Sequence, residues 1–282
     1  MERINYVSWA QMHKDVVSFA SKLPKIDGVI GIPRSGVIPA AHLATHLNVP
    51  FTTISHYTNA GFESGGSRID SEIPKGATLL LLDDSVQSLL TLNTLTQGRA
   101  NVKFKNFNGH TILPACLYAS ILNRPLLYER VIPNPRIFAW NWHQSWLTTS
   151  MMIDMDGVIC EDPSIFDDDQ EAYIEEIRRL RPLFCPRSFQ SICTHRLERF
   201  RPITEAWLQN HNIRATSIQM YPAKIAAERR KTAGPYGKWK GQVYAQSTAV
   251  LFVESCHLQA IKIHQVSQKP VLSIEMDEML CN

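Results

Sequence analysis

One apolar run that ends in two acidic residues most constrains what this chain can fold into. Residues 77–82, Ala-Thr-Leu-Leu-Leu-Leu, lead directly into Asp83 and Asp84. A strand this apolar is usually buried on both faces, which is typical of a parallel sheet covered by helices. Groups at the carboxyl ends of such strands lie where α/β proteins bind their ligands. The sequence therefore predicts an α/β fold with a ligand site beside Asp83 and Asp84.

A second apolar run ends in the same way. Residues 151–153, Met-Met-Ile, precede Asp154-Met-Asp156-Gly157. The chain has 282 residues, about twice the usual size of one domain. We therefore expect two Rossmann-like α/β domains with mainly parallel sheets, one over residues 1–147 and the other over residues 148–282.

The first half contains a strand, a small loop and a helix before the acidic pair. Apolar residues at helical spacing predict a helix over 7–22, and a β-branched run at 28–32 predicts a strand that ends in Pro-Arg-Ser-Gly. A second loop, residues 59–76, is rich in Asn, Gly and Ser. Carboxylates accept hydrogen bonds from vicinal hydroxyls, whereas phosphates bind to backbone N–H groups, small residues and arginine. A phosphorylated sugar satisfies both kinds of group.

Residues 79–91, Leu-Leu-Leu-Leu-Asp-Asp-Ser-Val-Gln-Ser-Leu-Leu-Thr, resemble the signature of the type I phosphoribosyltransferases. The resemblance implies binding of 5-phosphoribosyl pyrophosphate (PRPP), with loop 59–76 closing over the site. The ribose hydroxyls would be bound by Asp83 and Asp84. The 5-phosphate would be bound by Ser85, Ser88 and Thr91, and the pyrophosphate by Arg34, Ser35 and Gly36. The family usually has Thr-Gly where this chain has Ser88 and Leu89. An alternative interpretation is that this domain only binds a nucleotide or sugar phosphate.

The second half resembles the haloacid dehalogenase (HAD) superfamily in four elements that occur in order. They are Asp154-Met-Asp156, Thr194 after an apolar strand, a lysine in residues 237–244, and Glu254 at the end of a last strand. The resemblance implies a phosphatase with a small cap over 161–188. Its catalytic residues would be Asp154, Asp156, Thr194 and Lys240, with Lys238 as the alternative lysine. Mg²⁺ would be held by Asp154, Asp156 (through its carbonyl) and Glu254.

Together the resemblances imply a bifunctional enzyme. It would transfer 5-phosphoribosyl from PRPP to an acceptor and then remove the 5-phosphate, which makes net transfer of ribofuranose irreversible. We favour a glycan acceptor, with ribofuranose entering a bacterial surface polysaccharide. A nucleoside-like metabolite is the alternative.

Composition and charge exclude several other classes of protein. The formal net charge is +3 and there is no apolar span of 20 residues, so we expect neither a nucleic-acid partner nor a transmembrane segment. Six cysteines without a C-x-x-C pair, and an amino-terminal sequence without a signal-peptide pattern, favour a cytoplasmic protein. A homodimer is implied by the resemblance alone.

Two features near these motifs stay open. Residues 133–146 contain Trp140, Trp142 and Trp146, which favours a packed hinge between the domains. Acceptor stacking by Trp140, Asn141 and His143 is the alternative. His195 and Arg196 either line the substrate mouth or lie on the surface.

Overall fold

A computed structural model describes residues 3–62, 73–86, 109–120, 126–165, 171–184, 188–232 and 237–281. The chain divides into two compact units, Glu2–Trp140 and Asn141–Asn282, so the division falls before the expected border at 147. The reason is local: a short strand at 136–138 pairs with one at 5–7, which draws the chain up to Trp140 into the N-terminal unit. None of the described helices is both long and apolar enough to cross a membrane.

The N-terminal unit contains a five-stranded parallel sheet with the strand order β3-β2-β4-β5-β6, and β1 pairs in parallel with β7 outside it. The strands are β1 (Asn5–Val7), β2 (Gly28–Gly31), β3 (Phe51–Thr53), β4 (Thr78–Val86), β5 (Thr111–Ala119), β6 (Leu127–Val131) and β7 (Arg136–Phe138). The helices are α1 (Trp9–Lys22), α2 (Val37–Leu47) and α3 (Ile54–Ala60).

The apolar run is the central strand β4, and its side chains enter two separate cores. Leu80 and Leu82 pack in a cluster with residues of α1 and α2. Leu79 and Leu81 pack on the other side, in a cluster that includes Ile54. All four leucines are fully buried. The expected α/β fold with mainly parallel sheets is therefore confirmed, and burial on both faces is the physical reason.

Helix α1 is held to the sheet by a buried carboxylate. Asp15, which is 2% exposed, accepts hydrogen bonds from the Tyr118 hydroxyl at 2.9 Å, the Arg130 guanidinium at 2.6 Å and the Gln11 amide at 2.8 Å. These donors come from β5, from β6 and from the preceding turn of α1. Because a buried carboxylate is costly unless it is paired, the three donors together make Asp15 a cross-link between helix and sheet.

The C-terminal unit has a six-stranded sheet with the order β10-β9-β8-β11-β12-β13, in which only the pairing of β12 with β13 is antiparallel. Its strands are β8 (Met151–Ile153), β9 (Ser188–Leu197), β10 (Arg214–Tyr221), β11 (Leu251–Glu254), β12 (Val271–Ser273) and β13 (Glu278–Leu280). Its helices are α4 (Glu171–Arg179), α5 (Arg201–Asn210), α6 (Ala226–Thr232), α7 (Lys238–Gln246) and α8 (His257–Ser267). Short 3-10 helices cover Trp142–Gln144, Trp146–Ser150 and Glu198–Phe200.

The strand order places three chemically important positions side by side. Strand β8 lies between β9 and β11, and all three are parallel. Asp154 follows β8, Thr194 lies late in β9, and Glu254 ends β11. Since the carboxyl ends of parallel strands meet at one edge of the sheet, these residues share that edge.

We expect Asp15→Asn to lower the free energy of unfolding of the N-terminal unit by about 2 kcal/mol, because Arg130 loses its ionic partner and one buried hydrogen bond is reversed. Urea denaturation followed by circular dichroism measures this loss. Lys25→Ala is the control, since Lys25 is 91% exposed beside Asp27, and its loss should stay below about 0.5 kcal/mol. Equal losses in the two variants would contradict the cross-link.

Candidate functional site

The first candidate site is the acidic pair near the end of β4. Asp84 is 5% exposed, and both of its carboxylate oxygens accept hydrogen bonds. The Ser85 backbone N–H donates to Oδ1 at 2.8 Å, and the Trp140 indole Nε1–H donates to Oδ2 at 2.8 Å. The Asp84 backbone N–H donates in turn to Asp83 Oδ1 at 2.9 Å. The two carboxylates are therefore held in fixed orientations by neutral donors.

Burial makes this pair reluctant to carry two negative charges. Desolvation, followed by the charge of Asp84, raises the pKa of Asp83 to about 7. Desolvation also raises the pKa of Asp84, against the opposing effect of the Trp140 hydrogen bond. Two neighbouring acids in this setting titrate as one coupled pair. Near neutral pH the pair therefore carries fewer than two full charges in the absence of a ligand.

The loop after β2 lies directly against Asp83. Gly36 is the N-cap residue of α2, and a Cβ atom at this position would lie 2.7 Å from Asp83 Oδ1 and 2.7 Å from the Ile32 carbonyl oxygen. Only glycine tolerates so close an approach. The side chain of Arg34, in the same loop, is exposed, and the Pro33–Arg34 peptide bond is cis. The structure thus brings Gly36 and Asp83 together and places Arg34 and Ser35 beside them in sequence.

Some of the PRPP-binding residues that the sequence predicts cannot be compared with the structure. Ser88, Leu89 and Thr91 lie outside the described residues, as does most of the predicted closing loop, residues 63–72. Ser85 is described, is half-buried and lies next to Asp84 within β4.

The second candidate site is a buried cluster of charges in the C-terminal unit. The Lys240 ammonium lies 2.7 Å from Asp154 Oδ2 and 2.8 Å from Glu254 Oε2. All three side chains are at most 7% exposed. One cation between two carboxylates leaves a net negative charge. Accordingly, burial and then the charge of Glu254 raise the pKa of Asp154 well above its ordinary value, although Lys240 opposes this.

The two lysines that the sequence left open are distinguished by their positions on α7. Lys240 faces the carboxylates, whereas Lys238 is exposed. Burial by itself would lower the pKa of Lys240, but Asp154 and Glu254 outweigh burial and raise it. Both lysines lie in the first turn of a helix, because α7 begins at Lys238.

Asp156 points to a different partner. The buried guanidinium of Arg196 donates from Nε to both carboxylate oxygens of Asp156 at 3.1 Å and is ion-paired with them. Arg196 is 2% exposed, so the expectation that it lines the substrate mouth or the surface is wrong. Hydrogen bonds between a guanidinium and a carboxylate are stronger than those between neutral groups. Thr194, also buried, accepts from the Arg196 backbone N–H at 3.2 Å.

The Ser255 hydroxyl links the main-chain carbonyl of Asp156 to Glu254. Ser255 Oγ donates to the Asp156 carbonyl oxygen at 3.1 Å and lies 3.4 Å from Glu254 Oε1. Among the described residues, no three His, Cys, Asp or Glu side chains form a metal-binding group. The Asp156 side chain is instead paired with Arg196.

Sequence reasoning did not assign Ser255 or Asp162 to a site, and it considered Trp140 only as a hinge or acceptor-stacking residue. Trp140 donates to Asp84, Ser255 bridges Asp156 and Glu254, and Asp162 lies next to Gly157. Burial and then the charges of Asp156 and Glu254 raise the pKa of Asp162. Apart from the density of tryptophans near residue 140, no local pattern marks these residues.

The boundary between the two units falls within the segment proposed for acceptor stacking by Trp140, Asn141 and His143. Trp140 belongs to the N-terminal unit, while Asn141 and His143 belong to the C-terminal unit. The His143 ring stacks on Phe184 at a centroid distance of 5.4 Å. His195 is half-buried, with Tyr221 at 5.9 Å and Trp239 at 5.7 Å between ring centroids.

Comparison with known proteins identifies the N-terminal unit. The phosphoribosyl transferase domain family matches residues 8–119. A xanthine-guanine phosphoribosyltransferase from Chromohalobacter salexigens is 37% identical over 125 residues, which cover 43% of this chain and 71% of that protein.

Solved structures of similar proteins include a purine phosphoribosyltransferase from Pyrococcus horikoshii, which is 23% identical with a TM-score of 0.35 over 49% of this chain and 93% of its own. A xanthine-guanine-hypoxanthine phosphoribosyltransferase from Helicobacter pylori is 16% identical with a TM-score of 0.37 over 50% of this chain and 93% of its own. The family match and the 37% identical relative show that the chain belongs to the phosphoribosyltransferase family, through a domain in residues 8–119.

Proposed function

We propose that the N-terminal unit breaks the bond between C1 of PRPP and its pyrophosphate and joins C1 to an acceptor. The observation that carries the proposal is the close approach of the Gly36 loop to Asp83, because it puts a phosphate-binding loop and two hydroxyl acceptors in one place. Asp83 and Asp84 accept hydrogen bonds from the ribose hydroxyls. In this proposal Arg34, Ser35 and Gly36 bind the pyrophosphate, and the sequence assigns the 5-phosphate to Ser85, Ser88 and Thr91.

The acceptor that we propose is a purine base. The relative that shares 37% identity over 125 residues is named a xanthine-guanine phosphoribosyltransferase. The glycan acceptor favoured by sequence reasoning has no support of this kind. We therefore rank a purine first and retain a sugar acceptor as an arm of the assay.

For the C-terminal unit we propose phosphomonoester hydrolysis of the HAD type. The support is the set of residues at one sheet edge: Asp154 after β8, Thr194 in β9 and Glu254 at the end of β11. Asp154 Oδ attacks phosphorus as the ester P–O bond breaks, and water then cleaves the aspartyl phosphate. Thr194 donates to the phosphoryl oxygens, and Lys240 balances their charge. Asp156 donates a proton to the leaving oxygen and later takes one from the water that cleaves the aspartyl phosphate, and Arg196 fixes the orientation of Asp156.

The donor set of this cluster fits Mg²⁺. Asp154, Glu254 and the Asp156 carbonyl are all oxygen ligands, which magnesium prefers. The carbonyl and Glu254 Oε1 lie 3.1 and 3.4 Å from the Ser255 hydroxyl. Lys240 carries one positive charge against two carboxylates, so one negative charge remains for a further cation to neutralise. When bound, Mg²⁺ would neutralise the phosphoryl oxygens as the nucleophile approaches.

The two proposed reactions form a sequence. Transfer from PRPP gives a 5-phosphorylated product, and a 5-phosphate is a phosphomonoester. Hydrolysis by the second unit would release inorganic phosphate and leave an unphosphorylated riboside. Because phosphate is lost, the overall transfer would be irreversible.

An alternative is that the N-terminal unit binds PRPP without transferring the phosphoribosyl group. Isothermal titration with PRPP, combined with an assay of pyrophosphate release, distinguishes the two. Binding without release in the presence of xanthine, guanine, hypoxanthine or a sugar acceptor would favour the alternative.

We expect the double substitution Asp83→Asn with Asp84→Asn to reduce pyrophosphate release at least 100-fold, because both ribose acceptors lose their charge. Hydrolysis of a test phosphomonoester should stay within twofold of wild type. Coupled detection of pyrophosphate and of phosphate measures the two rates separately. A parallel fall in both rates would contradict this division of roles.

Asp154→Asn should have the opposite effect. An amide is a poor nucleophile towards phosphorus, so we expect phosphate release to fall at least 100-fold while pyrophosphate release continues. Mass spectrometry of the reaction should then show the 5-phosphorylated product accumulating. If this variant makes the same unphosphorylated product as wild type, Asp154 is not the nucleophile.

The acidic pair also predicts a pH-dependent stability. Asp83 has a pKa of about 7 in the folded state and about 4 in the unfolded state. Ionisation of Asp83 above pH 7 therefore lowers the free energy of unfolding. Asp83→Asn removes this cost and keeps the Oδ1 acceptor. We expect a gain of about 2 kcal/mol above pH 7, after allowance for solvent screening. The gain should shrink between pH 7 and pH 4 and vanish below.

Thermal unfolding of both proteins across this pH range measures the effect. Ser85→Ala is the matched control, because it changes the adjacent residue without removing a titratable group. A gain in Asp83→Asn that is the same at pH 4 and pH 8 would contradict the raised pKa.

A further inference from the structure

The indole of Trp140 is a neutral side-chain donor to the acidic pair. Its Nε1–H lies 2.8 Å from Asp84 Oδ2, while Oδ1 accepts from the Ser85 backbone at 2.8 Å. With each oxygen held by one donor, the plane of the carboxylate cannot turn. The remaining lone pairs of Asp84 then have a set direction in which to accept hydroxyl groups.

The Trp140 ring is itself fixed by an aromatic stack. Its ring centroid lies 4.9 Å from that of Phe138, with an interplanar angle of 22°. The centroid distance to Tyr118 is 6.2 Å, with an interplanar angle of 23°. Tyr118 is anchored through its hydroxyl to Asp15, the buried cross-link of α1. Trp9 covers the stack at 5.8 Å with a tilt of 60°. The donor therefore has little freedom to leave Asp84.

The chain brings this residue to the site from outside the matched domain. The family match ends at residue 119, and Trp140 follows β7, whose pairing with β1 holds this segment in the N-terminal unit. The donor to Asp84 is thus supplied by a segment that the match does not include.

The charge around Asp84 explains why a neutral donor matters. A lysine here would cancel the charge that attracts hydroxyl groups and any cation bound with PRPP, whereas an indole N–H orients the carboxylate without cancelling its charge. Arg136 also stabilises Asp84 electrostatically, and its NH1 donates to the Ile132 carbonyl at 3.0 Å. Removing the indole N–H would leave a nearly buried oxygen without that partner.

We propose that Trp140 is a positioning residue for PRPP: its indole N–H holds Asp84 in the orientation that receives the ribose hydroxyls. This inference rests on the proposed function of the N-terminal unit. It assigns to the end of that unit a role in donor recognition rather than in acceptor stacking.

The test compares Trp140→Phe, which keeps an aromatic ring in the stack and removes the N–H, with Trp9→Phe, which alters the same stack without touching Asp84. We expect Trp140→Phe to weaken PRPP binding about tenfold by isothermal titration with Mg²⁺ present, with Trp9→Phe within twofold of wild type. The pH below which PRPP binding is lost should rise in Trp140→Phe alone. The reason is that the charged form of Asp84 loses a hydrogen-bond donor, which raises its pKa.

A third variant separates positioning from general loosening of the fold. In an Asp84→Asn background, adding Trp140→Phe should change PRPP affinity by less than twofold, because the partner that the indole positions has lost its charge. Equal effects of Trp140→Phe and Trp9→Phe, or a full tenfold loss that persists in Asp84→Asn, would overturn the inference.

The titration also separates this inference from the proposed transfer reaction. If wild type binds PRPP but releases no pyrophosphate with any acceptor, transfer is overturned, and the three variants still decide the role of Trp140. If wild type does not bind PRPP, both are overturned.

Discussion

The burial of β4 on both faces is the constraint on which the N-terminal site depends. Leu79 to Leu82 are fully buried, so the strand enters the site from a dry interior. The acids that follow cannot be fully hydrated, and desolvation raises the pKa of both Asp83 and Asp84. Such a pair gains from a ligand that donates hydrogen bonds or brings a cation. The affinity of the site therefore has its origin in the apolar strand beneath it.

The two units hold buried acids by different means. In the N-terminal unit, Asp84 is held by neutral N–H donors from Trp140 and Ser85. In the C-terminal unit, Asp154 and Glu254 share the ammonium of Lys240. A neutral donor orients a carboxylate and leaves its charge available, whereas an ammonium cancels one of two charges. This difference suits the hydroxyl binding that we propose for one unit and the phosphomonoesterase site that we propose for the other.

The strands and their terminal acids were predictable because they depend on local patterns. Uniformly apolar runs predict the central strands β4 and β8, and the acids after them mark the carboxyl edge. The choice between Lys238 and Lys240 was not predictable, since both follow Gly237 closely. A helix turns residues two apart to different sides, which buries Lys240 and exposes Lys238. Arg196 was misjudged because its partner Asp156 is 40 residues away.

By itself, the sequence determined the α/β class, the position of the acidic pair after a buried strand, and the membership of residues 8–119 in the phosphoribosyltransferase family. Only the tertiary structure decided which groups complete each site. Trp140 reaches Asp84 across 56 residues of chain because β7 pairs with β1 and an aromatic stack fixes the ring. The physical reason is that periodicity records burial along one element, whereas a hydrogen bond between distant residues depends on how the elements pack.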